Sequence, residues 1–214
     1  MGAKLLKYLG KCKISVHICK KSWERFGCLS NCFYFCSRIT KEVAMDEKKV
    51  KKRVIGVDIS LDATAYAIVD VRGNILVKDS FPTEDYPEIG AFVAKLSDGI
   101  IQMIEANGGF ETIRSVGFSA PSANYKSGSI VNSPNFPWKG VVPLSALLRD
   151  RLGLAVAVAN NSHVVALGEH AFGCAHGMRD FIVITIGSGL GSCIFTEGSV
   201  KLGSDGYAGE IGHT

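Results

Sequence analysis

Val54-Ile55-Gly56-Val57-Asp58 is a short, nearly continuous apolar run that closes on an acid. Runs of this kind read as buried strands, and the segments that follow decide the fold class. Thr64–Val69 and Ile75–Asp79 read as two further strands, joined by Asp70-Val71-Arg72-Gly73-Asn74, a turn by composition. Ile89, Phe92, Val93, Leu96, Ile100, Met103 and Ile104 then recur at helical spacing, and Asn107-Gly108-Gly109 stops that helix. Ile113–Phe118 predicts a fourth strand, and Ala120–Gly140 a long Ser/Asn/Pro-rich loop. A helix over Pro143–Arg151 starts with proline where its missing N–H costs nothing. Leu154–Ala159 is a fifth strand, Ser162–Phe172 a helix closed by Gly173, and Phe181–Ile186 another strand. A glycine hairpin and short strands fill Gly187–Leu202. Three strands, then helices alternating with strands, predict an α/β chain with a mixed sheet flanked by helices.

The second strand set reaches Thr214 with no later helix to cover it. An apolar sheet without a cover is not a finished domain. The expectation is therefore one complete domain over 53–160 and the first part of a second over 161–214.

Outward from this body the composition changes. The chain of 214 residues is 47% hydrophobic and 21% charged, which is globular, and it has no apolar run long enough to span a membrane. Its net charge of +4 conceals an asymmetry. Residues 1–53 hold 14 Lys/Arg against 4 Asp/Glu, whereas residues 54–214 hold 10 against 16. Five of the seven cysteines (Cys12, Cys19, Cys28, Cys32 and Cys36) lie in the basic segment. The other two, Cys174 and Cys193, read as ordinary buried thiols, so the expected compartment is a reducing cytoplasm.

Lys11, Lys13, His17, Lys20 and Lys21 interrupt what would be the apolar stretch of a secretion signal. Leu6 stands where a myristoylation signal has Ser or Thr. Cys28, Cys32 and Cys36 would share one helical face, yet no second cluster follows to complete a zinc site. No helix-turn-helix pattern supports nucleic-acid binding. Residues 1–52 therefore read as a disordered tail, or as a start placed ahead of a natural one at Met45.

Gly187-Ser188-Gly189-Leu190-Gly191 is the most informative loop. A dinucleotide fingerprint spaces its glycines differently and runs into a helix, but Cys193-Ile194-Phe195 continues as a strand. Glycines between two strands make a tight hairpin whose bare N–H groups can face a phosphate. Around this loop stand Ser119-Ala120-Pro121, Pro134-Asn135-Phe136-Pro137-Trp138, Ala159-Asn160-Asn161-Ser162-His163 and Ala166-Leu167-Gly168-Glu169. Gly206-Tyr207-Ala208-Gly209-Glu210-Ile211-Gly212-His213 comes last and is the most specific stretch.

In that order and spacing, residues 54–214 closely resemble the ROK family, which comprises bacterial sugar kinases and related repressors. The resemblance implies an actin-like, ribonuclease-H-like fold of two domains closing on a cleft. It also implies a cytoplasmic, glucokinase-like enzyme that uses ATP and Mg²⁺ to phosphorylate a primary hydroxyl of a hexose or N-acetylhexosamine. By position it assigns sugar binding to Asn160, Glu210 and His213. Phosphate binding falls to Asp58 and to Gly187, Ser188, Gly189 and Gly191. In many members the histidine at 213 also ligates a structural zinc with three downstream cysteines, so Zn²⁺ is expected only in a longer chain. A homodimer is common in the family. The chemistry suits the residues, because carboxylate and carboxamide groups read hydroxyls that both donate and accept. Without the motif, Asp58 would read as the end of a strand, Asn160 as a turn former and His213 as a core histidine.

Two departures bear on activity. The family's catalytic Asp follows the sugar-binding Asn, and here that position is Asn161. An amide can hold the attacking hydroxyl but cannot take its proton. A general base is typically worth about 10²–10⁴ in rate, a barrier change of roughly 3–5 kcal/mol. In the first phosphate loop, two glycines and a threonine are replaced by Ser60-Leu61-Asp62, which stiffens the backbone and brings a negative charge towards a triphosphate. Sugar binding is thus better preserved than ATP binding. Two readings remain open: an impaired sugar kinase, and a non-catalytic sugar-binding or regulatory relative. A repressor of the usual kind would need an N-terminal winged helix, which residues 1–50 do not resemble.

Overall fold

The computed structural model of the chain describes residues 52–134, 136–186 and 189–213, with the backbone alone at 5–9, 12–18 and 213. The strand signals of the body hold: β11 has the expected bounds, β10 is shifted by one residue, and the others extend where pairing carries on past the apolar run. β1 (Leu5–Leu9) and β2 (Cys12–Ile18) come first, then β3 (Arg53–Ile59), β4 (Ala63–Asp70) and β5 (Ile75–Pro82). Helix α1 (Ile89–Ala106) leads through β6 (Ile113–Ala120) to three short strands, β7 (Ala123–Asn124), β8 (Ser129–Val131) and β9 (Val141–Val142). Helix α2 (Leu144–Leu152), β10 (Ala155–Asn160), α3 (Asn161–Phe172), β11 (Phe181–Ile186), β12 (Leu190–Thr196) and β13 (Ser199–Val200) complete the chain.

The first sheet has the order β10-β6-β3-β4-β5. β3, β6 and β10 are parallel, and β4 and β5 return antiparallel through tight turns. In the β4–β5 turn the Asp70 carboxylate accepts backbone hydrogen bonds from Arg72 and Asn74, both 2.9 Å, as the turn composition predicts. One face of the sheet carries Ile55, Val57, Ile59, Ile68, Val116 and Phe118. Phe92, Leu96, Ile100 and Ile104 of α1 and Leu144 and Leu148 of α2 close over it. Burying large side chains of this kind stabilises by about 1.5–3 kcal/mol each, so this face is the main source of cohesion.

The loop over Ala120–Gly140 is more structured than its composition suggests. β7, β8 and β9 form a small antiparallel sheet, and Phe136 and Trp138 anchor the loop in the main core. Trp138 lies 4.7 Å from Phe136 and 4.5 Å from Phe92, between ring centroids.

The second sheet runs β1-β2-β11-β12-β13. Here the expectation of an uncovered strand set is corrected. Phe181 and Val183 of β11 and Cys193 and Phe195 of β12 alternate onto one face, where Val164 and Leu167 of α3 cover them. Period-two alternation in β11 leaves Ile186 on the other side, exposed. Within the basic segment, β1 and β2 pair antiparallel, and β2 pairs parallel with β11. The cysteines at 19, 28, 32 and 36 lie outside the described residues. In the body, Cys193 is buried as expected, but Cys174 is exposed just beyond the end of α3.

Candidate functional site

Parallel α/β sheets bind ligands in the crevice beyond the carboxyl ends of their strands. Three strands of the first sheet end together here, with Asp58 of β3 opposite Ser119 of β6, and Asn160 of β10 opposite Ala120. Asp58 and Asn160 therefore lie on one edge with a single strand between them, roughly 10 Å apart at the usual strand spacing. Asp58 is buried and accepts a 2.5 Å hydrogen bond from the Ser119 hydroxyl. Ser119 belongs to a quoted motif, yet its role could not be read from sequence, because the two residues are 61 positions apart.

Asn160 ends β10 and caps α3: its Oδ1 accepts from the Ser162 backbone N–H at 2.9 Å. A carboxamide at the N-cap satisfies one of the donors that a helix start leaves open. Asn160 is thus a structural residue as well as a candidate ligand. Asn161, in the first turn of α3, has a buried Oδ1 with no partner among the described residues. A buried acceptor left unmade costs about 1–3 kcal/mol, so this oxygen is suited to accept a hydrogen bond from something placed against it.

The end of β11 and the start of β12 close on α3. Ser162 Oγ and Thr185 Oγ1 are 3.4 Å apart. A Cβ on Gly191 would run into the Ser162 hydroxyl and come within 2.6 Å of Thr185 Oγ1, so only glycine permits this approach. Gly187 and Ser188 lie outside the described residues. Gly189 is open, with nothing within 4 Å of where a side chain would start.

The first loop is a closed turn. Ser60 N–H donates to the Ala63 carbonyl at 3.1 Å and Ser60 Oγ donates to the same oxygen at 2.7 Å. Leu61 and Asp62 at its tip are exposed. A triphosphate therefore finds an open backbone at Gly189 and a carboxylate at Asp62. Gly189 leaves the hairpin backbone open there, while the first turn departs from a phosphate cradle.

Glu210 sits in a segment held from two sides. From β12, Ser192 Oγ donates to the Gly209 carbonyl and accepts from Ile211 N–H at 3.2 Å, bracketing Glu210. From the β7–β8 hairpin, Asn124 Nδ2 donates to the Asp205 carbonyl at 2.6 Å. Lys126 Nζ donates to the carbonyls of Gly203 and Ser204 at 2.7 and 2.5 Å. None of Ser192, Asn124 and Lys126 was legible as a site residue, since each acts on backbone far along the chain. Burial, together with the nearby negative charge of Glu210, pushes the Cys193 thiol up to about 12. His213 ends the short turn Ile211–His213. Among the described residues, no group of three or more His, Cys, Asp and Glu side chains is gathered for a metal.

The sequence profile of the ROK family matches residues 54–214. A glucokinase of Streptomyces coelicolor is 35% identical over 160 residues, covering 74% of this chain and 48% of its own length. A xylose repressor of Caldicellulosiruptor bescii is 29% identical over 182 residues, covering 81% and 44%. In three dimensions the chain is similar to a ROK family glucokinase of Streptomyces griseus solved with glucose and AMPPNP. The TM-score is 0.66 at 32% identity, over 76% of this chain and 50% of that one. The chain thus spans about half the length of the relatives it matches, and its fold is the actin-like α/β fold of those glucokinases. With the family profile running unbroken from the first strand of the body to the end of the sequence, the chain belongs to the ROK family.

Proposed function

We propose that the protein is a cytoplasmic ROK-type sugar kinase, passing phosphate from ATP to the primary hydroxyl of a hexose or N-acetylhexosamine, with its base step impaired at Asn161. The observation that carries this reading is the pair Asn160-Asn161 at the carboxyl edge of the sheet, the second with a buried Oδ1 that has no partner among the described residues. Asn160, Glu210 and His213 hold the sugar. Asn161 accepts a hydrogen bond from the attacking hydroxyl and orients it, but as a neutral amide leaves the proton to solvent. The backbone at Gly187–Gly191 faces the phosphates, with Asp58 towards the metal side, and ATP with Mg²⁺ supplies the phosphoryl group. Phosphoryl transfer is mostly positioning and charge neutralisation, so activity is reduced rather than abolished.

The test is Asn161→Asp in the native protein, assayed with glucose, N-acetylglucosamine and N-acetylmannosamine at saturation. Restoring the carboxylate raises turnover at least about tenfold. No gain with any of the three sugars overturns the claim that only the base is missing.

The second reading, a sugar-binding regulatory relative, is favoured by the amide at 161 together with the likeness to a xylose repressor. It predicts that sugar binds while neither Asn161 nor Asp at that position turns it over.

A further inference from the structure

The β7–β8 hairpin packs in the first core through Ala123 and Ile130, Tyr125 at its tip packs against the second, and the segment 203–206 leads into Glu210 and His213. Two side chains of one hairpin grip three successive carbonyls across this boundary: Lys126 those of Gly203 and Ser204, Asn124 that of Asp205. The grip is built rather than incidental. Asn124 Oδ1 accepts from Lys126 N–H at 2.9 Å and from Ser127 N–H at 3.3 Å, which fixes the hairpin turn and aims Nδ2 outward. Opposite it, Gly206 has φ +91°, and a Cβ there would come within 2.8 Å of Asn124 Nδ2. Both partners are therefore shaped for close approach. Lys126 adds a full positive charge against two carbonyl oxygens, a charge-assisted contact stronger than a neutral one.

We propose that Lys126 and Asn124 are positioning residues for sugar binding: by holding 203–205 from the first core they set where the segment bearing Glu210 stands across the cleft. This rests on the proposed sugar-binding role of Glu210, but the grip can be tested without it. Ser192 fixes Glu210 relative to the second core, and the hairpin fixes the same segment relative to the first. Loss of the hairpin contacts leaves Glu210 attached to its own sheet through Ser192 but removes the second tether on the segment that leads into it. The consequence falls on sugar affinity and not on ATP.

The first experiment is hydrogen exchange on the full-length native protein without ligand. It reads the peptide 202–213, whose Ala208, Glu210 and Ile211 amides are hydrogen-bonded within the segment. In Lys126→Met these exchange at least about tenfold faster, while β3 and α1 exchange as in the parent. Asn124→Asp keeps the acceptor that fixes the turn and removes the donor to Asp205, so it speeds the same amides without dismantling the hairpin. Unchanged exchange in both variants overturns the proposal. The second experiment titrates glucose, N-acetylglucosamine and N-acetylmannosamine by calorimetry. For whichever binds the parent, Lys126→Met weakens affinity about five- to tenfold and Lys126→Arg restores most of it. Any turnover shows a raised KM for sugar, with kcat and the KM for ATP little changed. A parent that binds none of the three sinks the sugar-binding role, and with it the positioning role, while exchange still reports on the grip itself. Faster exchange with unaltered sugar affinity reduces the grip to a structural contact and overturns the positioning role alone.

Discussion

At Gly191 the space for a side chain is already taken by two hydroxyls, Ser162 Oγ and Thr185 Oγ1. Gly191→Ala forces both aside at a cost of about 1–3 kcal/mol, and melting falls by several degrees. In a Gly191→Ala/Ser162→Ala double variant, part of the loss returns, because the nearer of the two obstacles is gone while Thr185 Oγ1 remains. Strict additivity of the two single effects contradicts the contact. The two body cysteines give a second test. Cys174 is exposed, with its thiol donating to Glu169 Oε2 at 3.2 Å, whereas the Cys193 thiol is pushed to about 12 and buried. Thiolates, not thiols, are alkylated. Iodoacetamide at pH 8 therefore labels Cys174 in the native protein and reaches Cys193 only after unfolding, as peptide mapping will show. Single residues were legible where a motif surrounded them, as at Asp58 and Asn160. Ser119, Lys126 and Ser192 were not, since a serine or lysine whose partner lies 17 to 78 positions away leaves no local pattern.

Among elements, legibility followed periodicity. α1 shows seven apolar positions at helical spacing, and β11 is a nearly continuous, β-branched apolar run, so both were readable from end to end. β7 and β8 have two and three residues, too few to show a period, and they are drawn into strands by the core anchors Phe136 and Trp138. The cover over β11 and β12 was missed for another reason. α3 precedes those strands in the chain, and helix periodicity alone does not say which sheet a helix will pack on. α3 also carries His163, which is buried with its Nε2 unpartnered among the described residues, and burial lowers its pKa below 6.5. A histidine kept neutral in the folded state binds its proton more readily when unfolded. Stability is therefore fully present above the unfolded value of 6.5 and declines as pH falls through it towards the lowered folded value. Melting curves from pH 8 to pH 5 should show this decline, and His163→Gln should flatten it. An equal slope in the variant assigns the decline to other groups.

For the molecule as a whole, two cores meet at the carboxyl edge of the first sheet, and ligands that touch both will stabilise their union. Sugar contacts Asn160 from one side and Glu210 from the other under the proposed function. A sugar at a hundred times its Kd adds about 2.7 kcal/mol, or roughly 5–10 °C in melting temperature for a chain of this size. Mg-ATP alone should shift it less, because Asp62 and Leu61 crown the first turn. An ATP shift equal to that of the sugar contradicts the ranking of the two ligands. The fold class was legible because three parallel strand ends and their motifs lie within one stretch of sequence. The grip across the boundary was not, since it exists only once both cores are in place. Asn160 stands at that boundary, capping α3 with its oxygen and, under the proposed function, also holding a hydroxyl of the sugar. Two selective pressures therefore bear on one side chain, and a saturation library can separate them. Survivors chosen only for soluble expression should keep Asn, Asp, Ser and Thr at 160, whereas survivors chosen for growth on the sugar should narrow to Asn alone.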